Sequence, residues 1–228
     1  MILLMDIEKR FDGASRSRTF QRIVRVFGLR SKTVLDLGCG FGEQLASFGP
    51  QSIGVTTNQD EVNEGRKRGL SIVFGNIEEL EKISIGSDFD FVWANNFIEH
   101  ILSPHAFLAK LRSMTNGNTT LLLGVPVIPH VSSLLHIYKF RGALASNHIN
   151  FFTRRTLALT VERAGWDIVD IRPFVVSHAA LDRLLGLISP HLYIVARKNE
   201  SFRYGLKKVR EWNGVVYYEH LLRDTGQL

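Results

Sequence analysis

"TVLDLGCGFGEQ", residues 33–44, decides how this chain folds. An apolar run ends on Asp36 and Leu37, then gives way to three glycines spaced G-x-G-x-G at Gly38, Gly40 and Gly42. A short apolar run bounded by glycine reads as a buried strand entering a tight turn. Glycines supply the backbone angles of such a turn and let a ligand approach the main chain closely. A short helix is expected in "EQLASF", and its N-terminus would offer free N–H groups to an anion.

Outward from this stretch, strand and helix patterns alternate. "QSIGV" (51–55) is a second strand, and Asn58 with Glu61 has the spacing of a capping box, starting a helix that ends near Gly69. "LSIVFG" and "FDFVWA" (89–94) are the third and fourth strands. Ser103 and Pro104 open a helix in which Phe107, Leu108 and Leu111 share a face, and "TNGN" closes it. "TTLLLGV" is a fifth strand. Thr153 caps the helix "RRTLALTVERA", stopped by Gly165, and "WDIVDIRPFVV" and "HLYIVARK" complete the strands. The pattern predicts an α/β domain over residues 33–198, a mostly parallel sheet with helices on both faces. In such a sheet ligands bind at the carboxyl ends of the strands, where the strand order reverses. Residues 126–150, "PVIPHVSSLLHIYKFRGALASNHIN", are too long for a simple connection and are expected to form a lid or substrate wall. Val131, Leu134, Leu135, Ile137, Tyr138 and Phe140 suggest an amphipathic helix there, covering an acceptor, a membrane surface or the N-terminal helix.

With 228 residues and 45% hydrophobic content the chain can bury one substantial core. The single cysteine, Cys39, leaves no internal disulfide and fits a reducing compartment. Its place in the turn suggests packing more than nucleophilic chemistry. No apolar run is long enough to span a bilayer, and "MILLMDIEKR" lacks the basic start and cleavage site of a signal peptide, so a cytoplasmic location is expected. The net charge of +6 is concentrated in Lys9, Arg10, Arg16, Arg18, Arg22, Arg25, Arg30 and Lys32, opposed within residues 9–32 by Asp12 alone. Residues 1–32 therefore form a basic amphipathic helical region. It either meets an anionic partner, nucleic acid or a phosphorylated substrate, or docks through Phe20, Ile23, Val24 and Phe27 while Arg18, Arg22 and Arg25 face water. In the tail, residues 199–228, Phe202, Tyr204, Trp212, Tyr217 and Tyr218 stand among Lys207, Lys208 and Arg210. They either make a stacking surface for nucleic acid or fold back onto the domain.

"VLDLGCGFGE" departs from the G-x-G-x-x-G dinucleotide fingerprint and resembles the first motif of class I S-adenosylmethionine-dependent methyltransferases. "GNIEEL", "FDFVWANNFIEHI" and "FFTRRTLALTVERAGW" resemble later motifs of that family in the same order, so the resemblance covers about residues 30–198. It implies a Rossmann-like, seven-stranded sheet whose last strand is antiparallel, and S-adenosyl-L-methionine as cofactor. It further implies that Asp36 and the backbone of Gly38 and Gly40 meet the amino-acid end of that cofactor. Asn76 would accept from the adenine amino group, Ile77 would contact the ring, and Asn95 would border the methionine part. The acid that the family usually places at the end of the second strand is missing from "GVTTNQDEV", which resembles the "GVT" variant of cyclopropane-synthase-like enzymes. Thr56 is the expected ribose contact in its place, and Asn58 is expected to serve as a helix cap.

For catalysis, "NNFIEHI" carries Asn96, Glu99 and His100, and "NHINFFT" carries His148. In ubiquinone-biosynthesis O-methyltransferases and small-RNA terminal 2′-O-methyltransferases a similar stretch reads E-x-x-E-H, and in the RNA group a later histidine joins it around a divalent metal. Spacing i, i+3, i+4 would place the three side chains on one helical face. Here Asn96 stands where the first glutamate would be, and whether a metal binds stays open. His100 and His148 are candidate general bases, since imidazole titrates near neutrality. The expected function is methyl transfer to a small-molecule acceptor at an oxygen. The alternatives are RNA methylation through the basic N-terminal face and a cofactor-binding regulatory or scaffold role. The oligomeric state is left open.

Overall fold

In the computed structural model, which describes residues 2–86, 88–205, 223 and 226, the apolar runs become strands and the amphipathic stretches helices. Two helices come first, α1 (Ile2–Arg16) and α2 (Arg18–Phe27). There follow β1 (Val34–Leu37), β2 (Ile53–Thr56), α3 (Gln59–Lys67), β3 (Ile72–Phe74), β4 (Phe91–Asn95), α4 (Pro104–Met114) and β5 (Thr120–Ile128). The chain ends its described course with a two-residue strand β6 (Phe152–Thr153), α5 (Arg154–Arg163), β7 (Trp166–Arg172), α6 (Ala179–Leu185) and β8 (His191–Lys198). The main sheet runs β3-β2-β1-β4-β5-β8-β7, with β6 paired to the end of β5. β8 is antiparallel to both β5 and β7 and the remaining pairs are parallel, which is the seven-stranded architecture expected from the sequence. Among the described residues no helix is long and apolar enough to cross a membrane.

Alternation along each strand splits the core in two. Leu35, Leu37, Val92, Ala94, Leu121 and Leu123 point to the layer filled by Phe107, Leu108 and Leu111 of α4 and Leu157 and Val161 of α5. Val34, Phe91, Trp93 and Leu122 point the other way, against Phe20, Ile23 and Val24 of α2 and Val62 of α3. Strands buried on both faces explain why β1 and β4 read as continuous apolar runs. Trp93 is fully buried because its indole N–H has a partner, Gln44 Oε1 at 2.8 Å.

Several helix ends are capped, and Asn58 caps α3 without the reciprocal Glu61 bond of a capping box. Ser17 starts α2, and Gly28 ends it with φ +64°. Asn58 accepts from Asp60 N–H at the start of α3, and Thr153 and Thr156 form a reciprocal capping box on α5.

The structure corrects several local expectations. "EQLASF" makes a single 3-10 turn, Leu45–Ser47. Gly49 N–H is already bonded to Leu29 O, and that tie leaves no room for a longer helix. The 126–150 insert holds no α-helix. β5 continues to Ile128, and the rest forms three 3-10 turns, Ser132–His136, Tyr138–Phe140 and Gly142–Leu144. Arg141 donates to the carbonyls of Leu135 and His136, which a continuing helix would need, and Val131, Ile137 and Tyr138 stay exposed. α6 was not signalled, because its cap is His178, an uncommon N-cap residue. Arg22 is half-buried and does more than face water: it donates to Phe174 O and Val175 O. In the tail, Phe202 packs on the core and Tyr204 is buried, whereas Trp212, Tyr217, Tyr218, Lys207, Lys208 and Arg210 lie outside the described residues.

If α2 is a docked helix and not a free basic face, its buried and exposed residues should separate cleanly. Ile23→Ala, at a fully buried position, should cost about 2–5 kcal/mol in urea denaturation, and Arg18→Gln on the exposed side less than about 0.5 kcal/mol. Equal effects would contradict the docking.

Candidate functional site

The strand order reverses between β1, which continues to β2, and β4, which continues to β5. A cavity of about 520 Å³ opens there, at the carboxyl ends of the strands. Gly38 and Gly40 line it from the turn after β1, Thr56 from the end of β2, Thr57 and Glu61 from beyond it, Asn76 and Ile77 from beyond β3, and Asn96, Phe97 and His100 from beyond β4.

The turn is held by its own backbone. The N–H groups of Gly38 and Cys39 both donate to Val55 O, at 3.0 and 3.1 Å, so these two donors are not available to a ligand. The N–H of Gly40 has no partner among the described residues. Gly38 sits at φ +73°, and a Cβ there would come within 3.1 Å of the Phe97 ring, which is why this position needs glycine. The α-helix expected to present N–H groups is absent after this turn, which leaves single main-chain donors such as Gly40 N–H. Cys39 is buried, and burial holds its thiol far above the ordinary range, which suits packing and not nucleophilic chemistry.

Beneath the turn Asp36 is 2% exposed, and its Oδ2 has no hydrogen-bond partner. Burial pushes the carboxyl well above its usual value, and the nearby Glu43 adds to the shift. Glu43 also carries an unpartnered buried oxygen, with Arg10 3.6 Å from its other oxygen. Neither acid lines the cavity itself; their orphaned oxygens lie behind its glycine turn, and a cation reaching them would satisfy both.

At the β2 edge the sequence pointed to Thr56 alone. The structure adds Glu61, in the first turn of α3, whose carboxylate accepts from the Thr56 hydroxyl. An acid thus stands at the β2 edge, supplied by the next helix and not by the strand. Its signal in the sequence was an acid five residues beyond Thr56, read there as half of a capping box. Asn76 lines the cavity with its carbonyl oxygen accepting from Glu78 N–H, which fixes the amide's orientation. Asn95 does not line the cavity: its Oδ1 lies over Gly124, where any Cβ would be 2.1 Å away.

The stretch from Asn96 to His100 is not a regular helix. Asn96 has φ +52°, and only Ile98–His100 makes a 3-10 turn, so the expected common face is lost. Asn96 instead accepts from Nε2–H of His191, 2.9 Å away, an imidazole that burial pushes down to about 4 and keeps neutral. Glu99, His100 and His148 nevertheless meet, with one ligand atom from each within 4.8 Å of the others. The main chain makes this happen: Ile149 N–H and Asn150 N–H donate to Glu99 O, and the Asn150 amide donates to Ile101 O. Glu99 is 1% exposed, both its oxygens lack partners, and burial raises its carboxyl above the usual value. His100 Nδ1 faces Asn147 O and His148 Nδ1 faces Ala143 O. A carbonyl only accepts, so each Nδ1 donates, and in the neutral ring the lone pair lies on Nε2. His100 borders the cavity, and His148 stands behind it, 3.9 Å from Glu99. Two imidazole lone pairs and an unpartnered carboxylate fit a divalent cation, with Asn96 withdrawn from the set.

Residues 11–171 match the family model described as a methyltransferase domain. Over 109 residues the chain is 33% identical to a ubiquinone biosynthesis O-methyltransferase of Bradyrhizobium diazoefficiens, a match covering 44% of this chain and 43% of that protein's length. Among solved structures, a SAM-dependent methyltransferase from Archaeoglobus fulgidus has a TM-score of 0.57 at 22% identity, covering 86% of this chain and 99% of that one. An S-adenosylmethionine-dependent methyltransferase from Clostridium acetobutylicum has a TM-score of 0.59 at 10% identity, with the same coverage of 86% and 99%. These two structural likenesses speak to the fold.

A carboxyl whose folded pKa lies above its unfolded value weakens folding once the pH exceeds the unfolded value, so the unliganded protein should gain stability as pH falls from neutral. Asp36→Asn should therefore raise the Tm of the unliganded protein at pH 7, each kcal/mol gained being worth roughly 2–4 °C in a chain of this size. The same change should weaken S-adenosylmethionine on the order of tenfold or more by calorimetry, and Glu61→Ala should weaken it similarly. Unchanged Tm and affinity in Asp36→Asn would contradict the assignment.

Proposed function

The chain belongs to the methyltransferase-domain family, and on that footing we propose that it transfers a methyl group from S-adenosyl-L-methionine to an oxygen of a small-molecule acceptor. S-adenosyl-L-methionine is the methyl donor of this family. The observation that carries the reading is the cavity at the strand-order reversal. A buried, unpartnered Asp36 lies beneath its glycine turn, Thr56 and Glu61 stand at the β2 edge, and Asn76 and Ile77 lie opposite. In this reading Asp36 receives the cofactor's ammonium, Gly40 N–H its carboxylate, Glu61 with Thr56 the ribose hydroxyls, and Asn76 with Ile77 the adenine.

In this reading His100 acts on the acceptor. It lines the cavity, and its Nε2 lone pair can take a proton from a hydroxyl as the methyl transfers in line. His148 and Glu99 hold it from behind, and the imidazole rings of the two histidines meet edge to face at 4.9 Å. The same three side chains would hold a divalent cation, which, when bound, would polarise the acceptor hydroxyl. The match to an enzyme named as an O-methyltransferase supports oxygen as the target.

Several side chains of the basic N-terminal segment have partners within the chain: Arg10 meets Glu43, Arg16 meets Asp12, Arg22 donates to two carbonyls and Arg30 to Gln21.

With a hydroxylated acceptor in hand, His100→Ala should lower turnover on the order of a hundredfold, with the S-adenosylmethionine Kd unchanged by calorimetry. Full turnover in that variant would overturn the role of His100. Loss of activity under a chelator, restored by a divalent metal, would assign the cluster to a cation; activity indifferent to the chelator would assign it to proton transfer alone.

A further inference from the structure

A second cavity, of about 570 Å³, lies beside the outer end of β5 and shares no lining residue with the first. Its walls are apolar: Val127 and Ile128 of β5, Ala158 of α5, Ile171 of β7, Leu192 of β8 and Leu187 after α6. The volume lies in the range of small-molecule sites. Arg154, Arg155 and His130 also line it, and no Asp or Glu does.

Arg154, the first residue of α5, is the informative one. One guanidinium nitrogen, Nη2, reaches Ile171 O at a long 3.4 Å, while Nη1 is buried and has no partner among the described residues. An unpaired buried donor costs free energy that a bound acceptor would recover. The N-terminus of α5 is already satisfied by its Thr153–Thr156 capping box, so the guanidinium is the donor that a ligand would meet.

We propose that this cavity binds a small amphiphilic anion, its carboxylate or phosphate-type head paired with Arg154 and its apolar body against the β5, β7 and β8 side chains. Cationic donors without a counter-acid select the head, and the dry walls select the body. The site adjoins the cofactor cavity through β8. Asn96, which lines the first cavity, bonds His191, and the next residue, Leu192, lines the second.

The test uses decanoate, decyl phosphate and neutral 1-decanol, titrated calorimetrically into the whole protein below their aggregation limits. The wild type should bind one equivalent of an anion at least about tenfold more tightly than the alcohol. The ratio of decanoate to decyl phosphate affinity identifies the preferred head. Arg154→Gln should abolish the preference for charge. Gly186→Leu should abolish binding of all three, because a Cβ at this position already comes within 3.0 Å of Arg154 Nη1 and 3.3 Å of Leu192 Cδ2. S-adenosylmethionine binding, measured on the same samples, should persist in both variants and reports that they are folded. If either variant fails to fold, the comparison of anion with alcohol on the wild type decides. Equal affinity for anion and alcohol, no anion binding, or an undiminished preference in folded Arg154→Gln would overturn the proposal. Failure of the wild type to bind S-adenosylmethionine would count against the methyltransferase reading and leave this one standing.

Discussion

A carboxylate buried without a partner is the constraint on which this architecture turns. Asp36 is the third of the four residues of β1, 2% exposed, with one buried oxygen unbonded. Such a group raises the free energy of the empty protein, and its proton affinity rises in response. The fold holds it there because β1 is central, paired on one side with β2 and on the other with β4. The glycine turn above it is pinned by two N–H bonds to Val55 O. In the proposed reading a cationic ligand would relieve this cost, and Gly38 and Gly40 of the turn line the cavity.

Glu99 repeats the same logic at the end of β4. It too is buried and unbonded, but its neighbours are two imidazoles whose Nδ1 protons are fixed by backbone carbonyls. In the proposed reading the first acid would meet the amino-acid end of the donor and the second would stand near the reacting end. Their separation along the sheet edge follows from the strand order, since β1 and β4 are adjacent and both end on the same side. The β2 edge closes the third side through Glu61, a residue of the α3 helix and not of the strand.

Much of this was legible in the sequence because its causes are local. Strands buried on both faces read as apolar runs, caps such as Asn58 and Thr153 announce their helices, and the glycine spacing marks the turn. What was not legible depended on contacts between distant segments. Gly49 tied to Leu29 O cuts short the helix after the turn, and Arg141 bonding back to Leu135 and His136 breaks up the insert. The helical face expected for Asn96, Glu99 and His100 failed because Asn96 takes a left-handed conformation and pairs with His191, 95 residues away. His148 reaches Glu99 through the Asn150 clamp, which no spacing rule contains. Glu61 was visible as a residue, but its function depends on how the first turn of α3 folds back over β2.

The most direct test of the account is a calorimetric titration of the wild type with S-adenosylmethionine, S-adenosylhomocysteine and 5′-methylthioadenosine. The three share adenine and ribose, and only the first two carry the amino acid that Asp36 and the glycine turn would hold. The account predicts one site that binds the first two and binds 5′-methylthioadenosine at least about tenfold more weakly. Equal affinity for all three, or no binding of S-adenosylmethionine, would contradict it.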